Sequence, residues 1–184
     1  MWVNRSVQKN SASQLIANGI VPADGKKVSP LLDIFVDADA CPVKQEIFRV
    51  AKRYGLKVLL VSNSWMRIPD SSCLELVVVD KGKDVADDWI VEHAGIDDIV
   101  ISGDIPLASQ CIKKGAQVLG NTGRPFTEDN IGNALSVRNL LSDLREQGIV
   151  TGGPKPFAKK DRSRFLQALD EIIVKIRRRN GIRS

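Results

Sequence analysis

The feature that most constrains the fold of this chain is a regular alternation of two kinds of segment. Short apolar segments rich in strand-forming residues are predicted as strands over residues 32–36, 56–61, 74–79, 99–102 and 117–119. Segments with apolar residues at three- and four-residue steps are predicted as helices over residues 43–54, 85–94, 105–114, 128–147 and 165–176. Such an alternation implies right-handed crossovers, with helices on both faces of the sheet. The sequence therefore predicts an α/β three-layer sandwich with a mostly parallel five-stranded sheet, plus C-terminal helices.

The domain organisation follows from length and composition. A chain of 184 residues is long enough for one domain with a full hydrophobic core. Residues 1–30 are polar and aperiodic, so we expect a poorly ordered N-terminal extension. Residues 31–180 are expected to form a single domain that includes the basic C-terminal helix. No apolar run approaches the roughly 20 residues of a membrane span and no secretory signal is recognisable, so we expect a cytoplasmic protein without a membrane partner.

The positive charge is concentrated in the last part of the chain. The net charge is +5, but residues 155–184 contain ten Lys or Arg against three acids, a local balance of 10 − 3 = +7. Such a basic segment either follows a sugar-phosphate backbone or forms a solvated helix face. The residues predicted to contact phosphate in this segment are Lys159, Lys160, Arg162 and Arg164.

Acidic residues follow three of the predicted strands. Asp37 and Asp39 come directly after the first strand, Asp84 and Asp88 open the helix after the third, and Asp104 follows the fourth. In an open parallel sheet, ligands bind outside the carboxyl ends of the strands, so these acids are expected to meet at one edge. A single acid in such a position often only caps a helix, but three converging groups favour a site. Asp87 is assigned to solvent, because Asp84 and Asp88 share a helical face four residues apart.

Carboxylates held close together raise one another's pKa unless a cation neutralises them. Oxygen ligands of this kind suit Mg²⁺ or Mn²⁺. Either ion can lower the pKa of an attacking water and stabilise the charge that develops on a phosphodiester. The sequence therefore favours a metal-dependent hydrolase, with Asp37, Asp39, Asp84 and Asp104 as catalytic acids and Asp88 as a further metal ligand.

Several motifs resemble one family closely. The segments Asp37-Ala-Asp-Ala-Cys-Pro-Val-Lys44, Asp80-Lys-Gly-Lys-Asp-Val-Ala-Asp-Asp-Trp89, Ser102-Gly-Asp-Ile-Pro-Leu-Ala108, Gly123-Arg-Pro-Phe-Thr127 and Asp161-Arg-Ser-Arg-Phe165 resemble the YaiI/YqxD family of bacterial proteins. The resemblance covers roughly residues 32–176 and implies an α/β fold for that part of the chain.

These motifs in turn resemble the PIN and NYN nuclease domains. In those domains an Asp ends the first strand, a Lys-Gly-x-Asp segment opens a helix, and Ser-Gly-Asp ends the fourth strand. The resemblance implies a PIN-like fold, metal-binding roles for Asp37 or Asp39, Asp84 and Asp104, and a nuclease. The expected substrate is nucleic acid, with RNA favoured over DNA. One feature departs from the pattern: Ile105-Pro106-Leu107 stands where those nucleases often carry a further acid, and Asp88 is the candidate to replace its charge.

Other residues near this edge are candidates for contacts with nucleic acid. Lys44, Arg67, Lys83 and Arg124 are predicted to bind phosphate, because cations are needed to hold a polyanion close to carboxylates. Trp65 either stacks on a base or covers the core. Cys41 is expected to be a packed thiol rather than a nucleophile, because no histidine lies nearby in sequence to activate it. The three cysteines also lack the C-x-x-C spacing of a structural zinc site.

Two other functions are compatible with the same residues. An apolar strand that ends in Asp37-Ala38-Asp39 also resembles the nucleophile motif of haloacid dehalogenase-like phosphatases. In such an enzyme Asp37 would attack phosphorus and Asp39 would serve as acid and base. A non-catalytic RNA-binding protein of PIN-like fold is the second alternative, because the acid set after Asp104 is incomplete.

Overall fold

A computed structural model describes residues 32–149 and 157–181 of the chain. Within these residues the strands are β1 (Asp33–Asp37), β2 (Lys57–Ser62), β3 (Leu74–Val78), β4 (Ile99–Ile101), β5 (Gln117–Leu119) and β6 (Pro125–Phe126). The helices are α1 (Lys44–Tyr54), α2 (Val85–His93), α3 (Ile105–Lys113), α4 (Glu128–Glu146) and α5 (Lys159–Arg179). The extension predicted over residues 1–30 lies outside the described residues and stays a prediction.

The described strands form one six-stranded sheet in the order β3-β2-β1-β4-β5-β6. All neighbouring strands are parallel except β5 and β6, which are antiparallel. This confirms the predicted α/β class and the mostly parallel sheet, whereas the predicted number of five strands was too low by one. The missing strand is β6, which has two residues and includes Pro125. Proline is confined to edge strands, and two residues are too few to show any periodicity.

Alternate residues of the strands contribute to two separate cores, one on each face of the sheet. On one face, Ile34 and Val36 of β1 pack in a cluster that contains buried residues of α1 and α5. On the other face, Phe35 packs in a cluster with buried residues of α2, α3 and α4. Both faces are therefore covered by helices, as the alternation of segments predicts.

The basic helix α5 is attached to the turn between β5 and β6. Gly123 in this turn has a φ of +77°, and a Cβ atom at this position would lie only 2.5 Å from the backbone nitrogen of Phe165. The side chain of Arg164 reaches back to the same turn and donates a hydrogen bond of 2.7 Å from Nε to the carbonyl oxygen of Thr122. This close approach lets Phe165, Leu169 and Ile173 become fully buried against the sheet.

None of the helices in the described segments is long and apolar enough to cross a membrane.

Candidate active site

A cavity of about 380 Å³ lies at the carboxyl ends of the strands. The residues that line it come from the segments after β1, β2 and β4 and from the start of α2: Asp37, Asp39, Ala40, Asn63, Asp84, Ala86, Asp87, Gly103 and Asp104. β1 is central in the sheet, with β2 on one side and β4 on the other, so the segments that follow these strands are neighbours in space. Four of the acids predicted to meet, Asp37, Asp39, Asp84 and Asp104, do line one cavity.

Ser102 connects two of these aspartates. Its hydroxyl donates a hydrogen bond of 2.9 Å to Asp37 Oδ2 and accepts one of 2.9 Å from the backbone nitrogen of Asp104. Asp104 in turn caps α3, because its Oδ1 accepts a hydrogen bond of 2.9 Å from the backbone nitrogen of Leu107. Ser102 is 1% exposed, so this connection is shielded from water. Ser102 begins the Ser-Gly-Asp motif but was not among the predicted site residues.

Asp39 is held by the segment after β2. Its Oδ1 accepts a hydrogen bond of 2.6 Å from the Ser62 hydroxyl, and its Oδ2 accepts one of 3.1 Å from the backbone nitrogen of Asn63. Asn63 itself lines the cavity, and its buried side-chain Oδ1 has no hydrogen-bond partner within the described residues. The first two strands of the chain thus supply one carboxylate and one unpaired amide oxygen to the same space.

The start of α2 differs from the prediction. Asp87 lines the cavity, whereas the exposed Asp88 is not among the lining residues. Asp87 lies three residues before the buried Ile90 and therefore shares the inward side of α2. The prediction counted helical spacing from Asp84, but Asp84 precedes the helix in a left-handed conformation with a φ of 63°. Placing Asp88 in the site and Asp87 in solvent was therefore wrong.

The cavity is strongly negative, and this is reflected in two pKa values. Burial raises the pKa of Asp37, the hydrogen bond from Ser102 opposes that effect, and the charges of Asp39 and Asp104 add to it. Burial also raises the pKa of Asp87 to about 6, with further contributions from the charges of Asp104 and Asp37. Asp87 accepts no hydrogen bond from the described residues that would offset its burial. A cation in this cavity would relieve the repulsion.

Comparison with known proteins places the chain in a family. The model of a family described as "Uncharacterized BCR, YaiI/YqxD family" matches residues 35–175. The chain belongs to the YaiI/YqxD family. It is 56% identical to a UPF0178 protein of Caulobacter sp. over 145 residues, which cover 79% of this chain and 96% of that protein. It is also 56% identical to a UPF0178 protein of Parvibaculum lavamentivorans over 149 residues, which cover 81% of this chain and 98% of that protein. No solved structure matches it.

The chemistry of the cavity in this YaiI/YqxD protein suits a hard divalent cation. The possible ligands are carboxylate oxygens and the unpaired Oδ1 of Asn63, and oxygen is the ligand that Mg²⁺ and Mn²⁺ prefer. In the described part of the chain, however, no three Asp, Glu, His or Cys side chains are already grouped so that they could hold one metal ion. Asp37, Asp39 and Asp104 are each hydrogen-bonded to a different donor. The ligand types therefore fit such an ion, although the carboxylates line the cavity without converging on one point.

Two of the predicted phosphate ligands have other partners in this family member. Arg162 forms an ion pair of 2.7 Å with the buried Glu46 of α1, and its guanidinium lies 5.3 Å from the centre of the Phe157 ring. Arg164 binds Asp161 at 2.6 Å as well as the carbonyl of Thr122. Both arginines therefore hold α5 to its neighbours, which the charge pattern alone did not indicate.

The other predicted phosphate ligands are available for a ligand. They are half-buried or exposed and form no ion pair within the described residues: Lys44, Arg67, Lys83, Arg124, Lys159 and Lys160. Lys44 opens α1 four residues after the cavity-lining Ala40, and Lys83 directly precedes Asp84. Cys41 is buried, which raises the pKa of its thiol to about 11 and confirms the expectation of a packed residue.

Proposed function

We propose that this member of the YaiI/YqxD family is a cytoplasmic, metal-dependent nuclease that hydrolyses phosphodiester bonds, with RNA as its substrate. The observation that carries the proposal is that five aspartates from three separate segments line one open cavity. Ion pairs and helix caps do not explain why five acids share one space, since carboxylates held close together repel one another unless a cation neutralises them. Oxygen-rich sites of this kind suit a divalent cation.

The residues proposed to hold Mg²⁺ or Mn²⁺ are Asp37, Asp39, Asp84, Asp87 and Asp104. A bound ion of this type lowers the pKa of an attacking water and stabilises the charge that develops on the phosphodiester. Ser102 is a positioning residue, because it holds the carboxylate of Asp37 and the backbone of Asp104 at a fixed separation. The left-handed conformation of Asp84 supports a functional role, since strained backbone of this kind concentrates at active sites.

The cations around the cavity are proposed to bring the polyanion to the acids. A phosphate backbone is repelled by five carboxylates unless positive side chains contact it nearby. Lys83 directly precedes the cavity-lining Asp84, and Lys44 and Arg67 each follow a lining residue by four positions. Arg124 follows β5 at the same edge of the sheet. These four residues are therefore proposed to bind phosphate, whereas Arg162 and Arg164 are proposed to be structural.

The test is metal-dependent cleavage of end-labelled single-stranded RNA and DNA by the purified full-length protein. We expect cleavage with Mn²⁺ or Mg²⁺, none with EDTA, and none by the Asp37→Asn, Asp104→Asn double variant. Asp143→Asn, an exposed acid of α4, is the control variant and should retain wild-type activity.

The two alternatives give different results in the same experiment. Salt-sensitive RNA binding by a folded wild-type protein that cleaves neither substrate would indicate a non-catalytic RNA-binding protein. Hydrolysis of phosphomonoesters that depends on Asp37, without cleavage of nucleic acid, would indicate a haloacid dehalogenase-like phosphatase.

A further inference from the structure

The segment after β2 has its side chains in alternating environments. Met66 and Ile68 pack against the core cluster that contains α1 and α5. The residues that alternate with them are exposed: Trp65, before Met66, is 75% exposed, and Arg67, between Met66 and Ile68, is also exposed. The two inward residues therefore anchor the segment while Trp65 and Arg67 project outward. Covering the core, one of the two roles considered for Trp65, is excluded by this exposure.

The same segment is attached directly to the carboxylate cavity. The backbone nitrogen of Asn63 donates a hydrogen bond of 3.1 Å to Asp39 Oδ2, and the backbone nitrogen of Ser64 donates one of 3.2 Å to the Ser62 hydroxyl. Asn63 lines the cavity, and Trp65 follows it by two residues. Two residues of extended chain span about 7 Å at most. The backbone of Trp65 therefore lies within about 7 Å of that of Asn63, on the segment that borders the cavity.

An exposed indole near a proposed nuclease site can bind a nucleobase by stacking. Every nucleobase has a π-face, so a fixed aromatic ring binds an unpaired base with little preference for sequence. A guanidinium on the same side contacts the phosphate that follows the base. Within the described residues Arg67 forms no ion pair, so it is available for this contact.

We propose that Trp65 and Arg67 form a subsite for one unpaired nucleobase and its adjacent phosphate, next to the carboxylate cavity. The inference rests on the proposed function for its ligand class, but it concerns binding and does not require catalysis. When a base stacks on Trp65, the backbone of the bound RNA runs past Asn63 toward Asp39. A base in a duplex cannot stack on the indole in this way, because its faces are covered by its neighbours.

The experiment measures the affinity of the full-length protein for a fluorescently labelled 12-nucleotide single-stranded RNA in EDTA, where no metal-dependent cleavage occurs. Trp65→Ala should weaken binding by about tenfold, the effect of one lost base stack. Trp65→Phe should restore most of the affinity, because it keeps an aromatic face. Arg67→Ala should reduce the slope of the logarithm of affinity against the logarithm of salt concentration, whereas Trp65→Ala should leave that slope unchanged. Ile96→Ala is the control, since Ile96 is 79% exposed and precedes β4 at the opposite edge of the sheet.

An oligonucleotide with abasic positions provides the second half of the test. The wild type should bind this abasic RNA about as weakly as Trp65→Ala binds normal RNA. Removing both the base and the indole should weaken binding no further than removing either one. Equal affinity of the wild type and Trp65→Ala for normal RNA, or no detectable binding of RNA by the wild type, would overturn the subsite. Trp65-dependent binding without any cleavage in Mn²⁺ would uphold the subsite and reject the nuclease. Cleavage without dependence on Trp65 would uphold the nuclease and reject the subsite.

Discussion

The hydroxyl of Ser102 donates a hydrogen bond of 2.9 Å to Asp37 Oδ2 at the point where β1 and β4 end. This bond and a weaker one from the backbone of Asp39 lower the pKa of Asp37, against the effects of burial and of two neighbouring carboxylates. The same oxygen accepts from the backbone of Asp104, so one buried atom sets the relative position of two proposed metal ligands.

Ser102→Ala should therefore affect both stability and metal binding. It removes a hydrogen-bond partner from two half-buried residues, Asp37 and Asp104, which costs about 1 kcal/mol of unfolding free energy. It also raises the pKa of Asp37 further, so Mn²⁺ affinity at neutral pH should fall. Urea unfolding and Mn²⁺ titration measure the two effects. Ser136→Ala, on the exposed side of α4, is the control and should change neither.

The raised pKa of Asp87, at about 6, predicts how the metal-free protein responds to pH. A carboxyl whose folded pKa exceeds its unfolded value near 3.8 stabilises the fold below that lower value. This stabilisation is lost as the pH rises through about 6. Asp87→Asn should therefore raise the melting temperature of the metal-free protein at pH 7.5 and change it little at pH 4.

Metal ions should show the opposite trend with pH. Protons and Mn²⁺ compete for the same carboxylates, so Mn²⁺ should raise the melting temperature of the wild type more at pH 7.5 than at pH 5. Differential scanning fluorimetry over this range measures both effects. If Mn²⁺ raised the melting temperature equally at the two pH values, a carboxylate site would be contradicted. A lower melting temperature for metal-free Asp87→Asn than for the wild type at pH 7.5 would contradict it as well.

The turn that carries Gly123 should tolerate no side chain. Gly123→Ala places a Cβ atom 2.5 Å from the backbone of α5 and adds the strain of a positive φ, so unfolding free energy should fall. The expected loss is about 2 kcal/mol or more. Gly148→Ala is a matched control, because Gly148 also has a φ of +77° but has nothing within 4 Å of the added atom. If both variants lose the same stability in urea unfolding, the close packing of α5 on this turn is refuted.

Arg162 should prove structural rather than RNA-binding. Its ion pair is with Glu46, whose side chain is 8% exposed and whose Oε2 has no hydrogen-bond partner in the described part of the chain. Arg162→Ala should lower unfolding free energy by about 1–3 kcal/mol, since it leaves a buried carboxylate unpaired. Adding Glu46→Gln should recover part of that loss. Lys160→Ala should instead leave stability unchanged and weaken RNA binding, so denaturation and binding assays on the two variants separate the roles.

Much of the fold was predictable because it depends on apolar periodicity. The five longer strands have β-strand patterns, and β1, β3 and β4 are each followed directly by a segment with helical spacing. The strand order then places the segments after β1, β2 and β4 side by side. Asp37, Asp39, Asp84 and Asp104 were predicted to share a site because the carboxyl ends of parallel strands meet at one edge of the sheet. The strand β6 was missed because two residues, one of them Pro125, carry no periodic pattern.

The parts that the sequence did not reveal depend on local conformation and on partners distant in sequence. The buried Ile90 and the left-handed conformation of Asp84 determine which side of α2 faces inward. Helical spacing counted from Asp84 does not reveal either of them. The partner of Arg162 lies 116 residues away, so no local charge pattern indicates it. Ser102 could have been suspected only from its place in the Ser-Gly-Asp motif.

The most direct test compares two neighbouring residues of equal charge in the same assay. Single-turnover cleavage of labelled single-stranded RNA in Mn²⁺ should be measured for the wild type, Asp87→Asn and Asp88→Asn. Asp87 lines the cavity and Asp88 does not. We predict that Asp87→Asn slows cleavage by about 10–100-fold, as loss of a group that binds or orients the metal does, and that Asp88→Asn stays within about twofold of wild type. Equal loss in both variants, loss in Asp88→Asn alone, or unchanged cleavage in both would contradict the proposed site.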